Sequence, residues 1–97
     1  MTENRSHKVT VNRLSKNLGT EPQEEGVDIQ TNNLAIEVEP ERTINQGIRQ
    51  LQGYKKPVYI AGVNTKAVEK ALEATKGTTI GVVDNQGNII KRSTRKR

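Results

Sequence analysis

Residues 26–40, GVDIQTNNLAIEVEP, constrain the fold more than any other stretch, because apolar and polar side chains alternate on both sides of a central Asn-Asn pair. Alternation of this kind predicts two half-buried strands. Asn tolerates positive φ, so Asn32 and Asn33 favour a two-residue type I′ turn. Such a turn pairs Ile29 with Ile36, and the stretch therefore predicts a tight antiparallel hairpin.

The register of this hairpin brings three carboxylates together. Side chains alternate across a strand, so Asp28, Glu37 and Glu39 share one face while the apolar residues share the other. Asp28 lies directly opposite Glu37 in this register. Like charges in that position destabilise a strand pair, so the face is either open to water or holds a cation. A divalent metal is the sharper interpretation, and an ordinary acidic outer face is the alternative.

The composition limits the size of the core. The chain has 97 residues, no Phe or Trp and only two Tyr, so Val, Ile, Leu and Ala must build one small domain over residues 1–90. A lean core of this kind favours a homodimer. The absence of Cys excludes a disulfide framework and a thiolate metal site. Because no apolar run approaches membrane-spanning length, we expect a cytoplasmic protein with no membrane partner.

The excess positive charge is concentrated at one end of the chain. The formal net charge is +5, and residues 91–97, KRSTRKR, hold five of the 16 Lys and Arg. The remaining 11 basic residues equal the 11 acidic ones, so the body of the chain is formally neutral. We therefore expect a disordered basic tail that binds a polyanion through its phosphates, with an ordinary solubilising terminus as the alternative.

The remaining elements alternate between helical and strand patterns. Apolar spacing predicts a helix over 8–18, with a strand as the alternative, and a second helix from Glu41 to Gly53 in which Gly47 suggests close approach to the sheet. The later segments are predicted as a buried strand at 58–63, a helix at 66–76, and strands at 79–84 and 88–91. A strand, helix, strand crossover over 34–63 implies a parallel pair within a mixed sheet. The predicted fold class is α/β, with a mixed β-sheet flanked by helices.

Three polar residues outside the hairpin have competing interpretations. Gln50 and Tyr54 lie four apart at the edge of a helical stripe, from which they can reach over the carboxylate face. An exposed Gln and a Tyr that covers the core are the alternative. His7 has no Cys, His or Asp close to it in sequence, so we expect a surface histidine.

The order of these elements resembles the core of the restriction-endonuclease-like superfamily, the PD-(D/E)xK nucleases. Val27-Asp28 corresponds to the Pro-Asp element, and residues 37–39, Glu-Val-Glu, correspond to the (Asp/Glu)-x-Lys element. Residues 50–54, QLQGY, match the QxxxY motif of the RecB-like branch, and archaeal resolvase-like enzymes share the small size. The resemblance covers about residues 20–91 of the chain.

The resemblance implies a restriction-endonuclease-like core that cleaves DNA with Mg²⁺ or Mn²⁺. Asp28 and Glu37 would be metal ligands, and the carbonyl of Val38 would complete the site. Gln50 and Tyr54 would contact the substrate or orient the site. The implied activity is that of a metal-dependent deoxyribonuclease.

Glu39 departs from the family pattern, because it stands where these nucleases usually carry Lys. The resemblance leaves three roles for it: a general base, a ligand of a second metal, or the mark of an inactive nuclease fold. Lys55 is a candidate replacement for the missing Lys.

Two other functions compete with the nuclease. The first is a noncatalytic nucleic-acid-binding protein, and the second is a small subunit of a larger nuclease complex. In either nucleic-acid function, the basic side chains would contact phosphates. These candidates are Arg42, Arg49, Lys55, Lys56, Lys91, Arg92, Arg95, Lys96 and Arg97.

Overall fold

The computed structural model describes residues 5–23 and 26–96, which form an α/β sandwich of three layers. Its elements are α1 (Arg5–Leu18), β1 (Ile29–Gln30), β2 (Ala35–Glu39), a 3-10 turn (Glu41–Thr43), α2 (Ile44–Leu51), β3 (Val58–Gly62), α3 (Thr65–Ala74), β4 (Gly81–Val83) and β5 (Ile89–Lys91). Helix α1 covers one face of the sheet, while α2 and α3 cover the other. This arrangement confirms the predicted class, a mixed sheet flanked by helices.

The five strands follow the order β1-β2-β3-β4-β5. The three inner strands are parallel, and each outer strand is antiparallel to its neighbour. All five residues of β3 are buried, as expected for an apolar strand with helices on both faces. The parallel pairing of β2 with β3 confirms the crossover predicted over 34–63.

The hairpin has the predicted register but not the predicted turn. Ile29 pairs with Ile36 in an antiparallel ladder. No non-glycine residue in the described ranges has positive φ, so the type I′ turn is wrong. The hydroxyl of Thr31 instead accepts hydrogen bonds from the amides of Asn33 and Leu34, each at 3.1 Å. Local bonds of this kind stabilise a turn without left-handed backbone.

The first helix covers the sheet face that carries Ile36 and Tyr59. The inward stripe of this helix includes Val11 and Leu14. The helix ends at Leu18 and is followed by Gly19, whose φ is +68°. The strand alternative for this segment is therefore wrong. The helix and the sheet leave a half-open apolar groove of about 120 Å³. None of the helices in the described ranges is both long and apolar enough to cross a membrane.

The second helix lies directly against the sheet at Gly47. A Cβ at this position would lie 2.5 Å from Cγ of Glu39 and 2.8 Å from Cδ1 of Ile60. This confirms the close approach expected from the sequence. The chain after Glu41 first forms a 3-10 turn, and regular α-helix begins only at Ile44.

Two basic side chains of the C-terminal segment cap helices of this layer. Lys91 Nζ donates to the carbonyl of Thr75, just past α3, at 2.6 Å. Arg95 Nη1 donates to the carbonyls of Leu51 at 2.7 Å and Tyr54 at 3.1 Å, at the end of α2. Cations are favoured at helix C-termini, where carbonyls lack helical partners. Disorder of the tail beyond these contacts stays a prediction, and Arg97 lies outside the described residues.

The buried hydroxyls of the core give a stability test. Ser15 Oγ is buried without a hydrogen-bond partner among residues 5–23 and 26–96, so we expect Ser15→Ala to raise the free energy of unfolding by about 1 kcal/mol. Thr75 Oγ1 donates to the carbonyl of Ala71 at 2.7 Å and accepts from Lys91 at 3.2 Å. Thr75→Val should therefore lower that free energy by about 1–2 kcal/mol. Urea titrations measure both, and a destabilised Ser15→Ala variant would contradict the assignment.

Candidate metal centre

Three carboxylates meet where the hairpin lies against the second helix. Asp28 precedes β1, Glu37 lies in the middle of β2, and Glu39 is the last residue of β2. One oxygen from each lies within 4.8 Å of the others. The convergence predicted from the hairpin register is therefore confirmed. Whether the cluster holds a metal is a separate matter, because acidic clusters without one are common.

Asp28 is the hub of this cluster. Its Oδ2 accepts a hydrogen bond from the amide of Val38 at 2.8 Å. Strand β1 is only two residues long, and here the carboxylate accepts the bond that a backbone carbonyl of a longer strand would accept. The amide and carbonyl of one strand residue point to the same side. The carbonyl of Val38 therefore also faces the side of the strand on which Asp28 lies.

His7 contacts this cluster through Asp28 and is partly buried, so the expectation of a surface histidine is wrong. Its Nε2 lies 3.1 Å from Oδ2 of Asp28, and its side chain is only 20% exposed. A sequence signal for this position existed. His7 precedes Val11 by four residues and Leu14 by seven, so it continues the inward stripe of α1.

Glu37 is the most constrained carboxyl of the three. It is 4% exposed, so the alternative of an acidic face open to water does not describe it. Burial raises its pKa to about 10, with further contributions from a side-chain hydrogen bond to Asp28 and from the charges of Asp28 and Glu39. A hydrogen bond from the backbone of Asp28 acts in the opposite direction. Without a cation, Glu37 therefore holds its proton at neutral pH.

Glu39 is half-buried and is held from outside the cluster. Thr43 Oγ1 donates a hydrogen bond to its Oε1 at 2.5 Å. The pKa of Glu39 is raised above its ordinary value, chiefly by burial, and the hydrogen bond from Thr43 offsets part of that increase. The backbone of Gly47 covers its aliphatic part.

The structure does not bring Gln50 or Tyr54 into hydrogen-bonding contact with the three carboxylates. Gln50 is exposed and lines a shallow depression on α2 with Gln46 and Arg49. Tyr54 is half-buried, and its ring centre lies 5.9 Å from the Nζ of Lys56. Their substrate contacts stay a prediction.

The basic residues expected to bind nucleic acid fall into two groups. Lys56, Lys91 and Arg95 donate to groups within the fold; Lys56 Nζ bonds Gln30 Oε1 and the carbonyl of Thr31, each at 2.7 Å. The exposed ones are Arg42, Arg49, Lys55, Arg92 and Lys96. None of these five exposed side chains has a hydrogen bond or ion pair to Asp28, Glu37 or Glu39 among the described residues.

The donor set fits a divalent cation. Carboxylate and carbonyl oxygens suit Mg²⁺ and Mn²⁺. The three carboxylates each offer one oxygen within 4.8 Å of the others. His7 Nε2 forms a hydrogen bond with Asp28 Oδ2 at 3.1 Å and so orients one of them. A bound cation would also favour the ionised form of Glu37, which burial disfavours.

No protein-family model, curated protein or solved structure matches this chain. The cluster itself combines a buried carboxyl with two further carboxylates, one of which bonds an imidazole.

The raised pKa of Glu37 gives the metal-free protein a defined pH dependence. Between the ordinary value near 4.5 and the folded value of about 10, the folded state binds one more proton than the unfolded state. The free energy of unfolding should therefore fall as the pH rises through this range. Glu37→Gln carries no titrating group, so we expect a flatter pH profile and a more stable protein at pH 8–9.

Urea titrations in EDTA at pH 5, 7 and 9 measure this profile. Glu73→Gln is the matched control, since Glu73 is an exposed residue of α3 that pairs with Lys76. In Glu73→Gln the free energy of unfolding should fall with pH by the same slope as in the wild type. An equal slope in the wild type and in Glu37→Gln would show that Glu37 is not the group responsible.

Proposed function

We propose that this protein is a metal-dependent deoxyribonuclease with a restriction-endonuclease-like core. The observation that carries the proposal is the nearly complete burial of Glu37 beside two other carboxylates. Burying a carboxyl among like charges destabilises a fold unless a proton or a cation compensates it. A divalent cation held by Asp28, Glu37 and the carbonyl of Val38 would supply that compensation.

The arrangement of elements supports the same function. The acidic residues lie on a hairpin that leads into a helix and then into a central parallel strand, the order on which the resemblance to PD-(D/E)xK nucleases rests. A divalent ion in such a site lowers the pKa of a bound water and neutralises charge on the scissile phosphate. The buried wall of β2 and β3 behind the cluster limits the access of bulk water.

His7 supports the proposed ligand set through Asp28. It approaches Asp28 from α1, on a different layer from the helix that covers Glu39. Among the described residues, the ligand atoms that lie within 4.8 Å of one another belong to Asp28, Glu37 and Glu39, and His7 is not in that group. We therefore assign His7 to orienting Asp28 and not to the metal itself.

One observation favours a second candidate, a noncatalytic nucleic-acid-binding protein. Glu39 stands where the nuclease family carries Lys, and Lys55 is exposed without a hydrogen bond or ion pair to the carboxylates. A protein of this kind would bind DNA through Arg42, Arg49 and the basic tail. A homodimer stays a prediction for either function.

DNA cleavage tests the nuclease directly. We expect labelled single-stranded, duplex or branched DNA to be cut in Mn²⁺ or Mg²⁺, and EDTA to stop the reaction. Glu37→Ala should reduce cleavage by at least about 100-fold, because it removes a buried metal ligand. The control Glu73→Gln should cleave at the wild-type rate.

The same experiment separates the two candidates. Absence of cleavage on every substrate, with DNA binding that weakens steeply as salt is raised and is unaffected by Glu37→Ala, would reject the nuclease in favour of the binding protein.

A substitution at His7 tests its support of Asp28 without relying on cleavage. We expect His7→Ala to weaken Mn²⁺ and Mg²⁺ binding by a similar factor of about 10–100, because it removes a partner that orients a metal ligand. Calorimetry with each metal alone measures both affinities. A clearly larger loss for Mn²⁺ would show that the imidazole is itself a ligand, and unchanged affinities would remove His7 from the site.

A further inference from the structure

Thr43 occupies the N-cap of α2 but does not cap the helix. Its side chain makes no capping hydrogen bond to the first turn. The next helix shows the usual arrangement, since Asn64 Oδ1 accepts from the amide of Ala67 at 2.9 Å. Thr and Asn are both favoured at this position because their oxygens satisfy a free amide. Thr43 differs in being the last residue of the 3-10 turn that leads into α2, where the amide of Ile44 already donates to the carbonyl of Glu41. Its hydroxyl is therefore available for a bond elsewhere.

That hydroxyl is directed at Glu39. It donates to Oε1 at 2.5 Å, and the carbonyl of Pro40 lies farther away, at 3.4 Å. A Thr hydroxyl has a single proton, so its donation to Glu39 is the dominant bond. The short separation is typical of a hydroxyl that donates to a carboxylate.

Gly47 restricts the same side chain from a second direction. A Cβ at this position would lie 2.5 Å from Cγ and 3.1 Å from Cδ of Glu39. Thr43 and Gly47 are four residues apart, so both act from one side of α2. The side chain of Glu39 is thus held at one carboxylate oxygen by Thr43 and covered along its aliphatic part by Gly47. Within the described ranges, no hydrogen bond is made to its other oxygen, Oε2.

We propose that Thr43 is a positioning residue that fixes Oε1 of Glu39 and so presents Oε2 to the water that attacks the phosphodiester. This role rests on the proposed nuclease function. Oε2 takes one proton from the water, and the water oxygen forms a bond to phosphorus. The bond between phosphorus and the leaving sugar oxygen breaks, and that oxygen takes a proton from solvent. Thr43 itself exchanges no proton in this step.

Three substitutions separate positioning from a merely structural role. Thr43→Val is nearly isosteric and removes the hydroxyl, whereas Thr43→Ser retains it. Thr65→Val is the matched control at the exposed start of α3. We expect Thr43→Val to lower kcat by about tenfold or more, because a general base contributes about 100–10,000-fold when well placed. KM for DNA and the Kd for Mn²⁺ should stay within about twofold, and Thr43→Ser should retain most of the rate.

A second measurement does not depend on activity. Carbon couplings measured by NMR report the side-chain rotamers of Glu39 in the metal-free protein. We expect one rotamer in the wild type and in Thr43→Ser, and rotamer averaging in Thr43→Val.

The outcomes distinguish this inference from the proposed function. An unchanged kcat in Thr43→Val, a rate loss that Ser does not rescue, or a weakened Mn²⁺ affinity would each overturn the role of Thr43. If the wild type cleaves no DNA, the proposed function fails and the catalytic step fails with it. The positioning of Glu39 is then decided by NMR alone, and one rotamer in all three proteins would overturn it.

Discussion

Burial of the Glu37 carboxyl is the interaction on which the rest of the site depends. Strand β2 lies between β1 and β3 beneath α2, so a charge at its centre has little access to water. An ionised carboxylate there, opposite Asp28, would be strongly destabilising. The fold can therefore keep Glu37 in only two ways, as a protonated acid or beside a cation. The amide of Val38 and the imidazole of His7 both stabilise Asp28, the carboxylate that remains as its neighbour. Either a proton on Glu37 or a cation beside it would therefore satisfy the cluster.

Local patterns predicted the parts of this structure that depend on neighbours in sequence. The pairing of Ile29 with Ile36 followed from alternation, because a shift of one residue would expose the apolar face of the hairpin. The turn conformation did not follow, because the side chain of Thr31 supplies bonds that replace left-handed backbone. The contact between His7 and Asp28 spans 21 residues and two layers, so no short motif contained it. Only the helical stripe that ends at Leu14 indicated that His7 faces inward.

The sequence shows that the excess of basic residues lies in residues 91–97, but it does not show what those side chains bind. Lys91 and Arg95 each lie at the end of a helix and donate to backbone carbonyls. These carbonyls belong to residues 16 and 44 positions earlier in the chain, so the tail holds together the helical layer that covers Glu37 and Glu39. Part of the charge that the sequence assigned to a polyanion is therefore structural. Contacts with phosphates would fall mainly to exposed residues such as Arg42 and Arg49, which lie on the same 3-10 turn and helix as Thr43 and Gly47.

Two residues at the start and in the middle of the second helix lie against Glu39. The hydroxyl of Thr43 bonds its carboxylate, and Gly47 packs on its aliphatic part at a cost of about 1 kcal/mol relative to alanine in a helix interior. Helix α3 has a capped start and no glycine between Thr65 and Ala74, although it covers the same face of the sheet. Where α3 approaches the sheet, the glycine is on the strand instead, since a Cβ at Gly62 would lie 2.5 Å from the amide nitrogen of Val68. Gly47 serves the same close approach at Ile60 and restricts Glu39 as well. Because Thr43 and Gly47 act on one side chain through unrelated effects, a hydrogen bond and close packing, the orientation of Glu39 is what the two have in common. A carboxylate held in one orientation at the edge of the cluster is what the proposed general-base role of Glu39 requires.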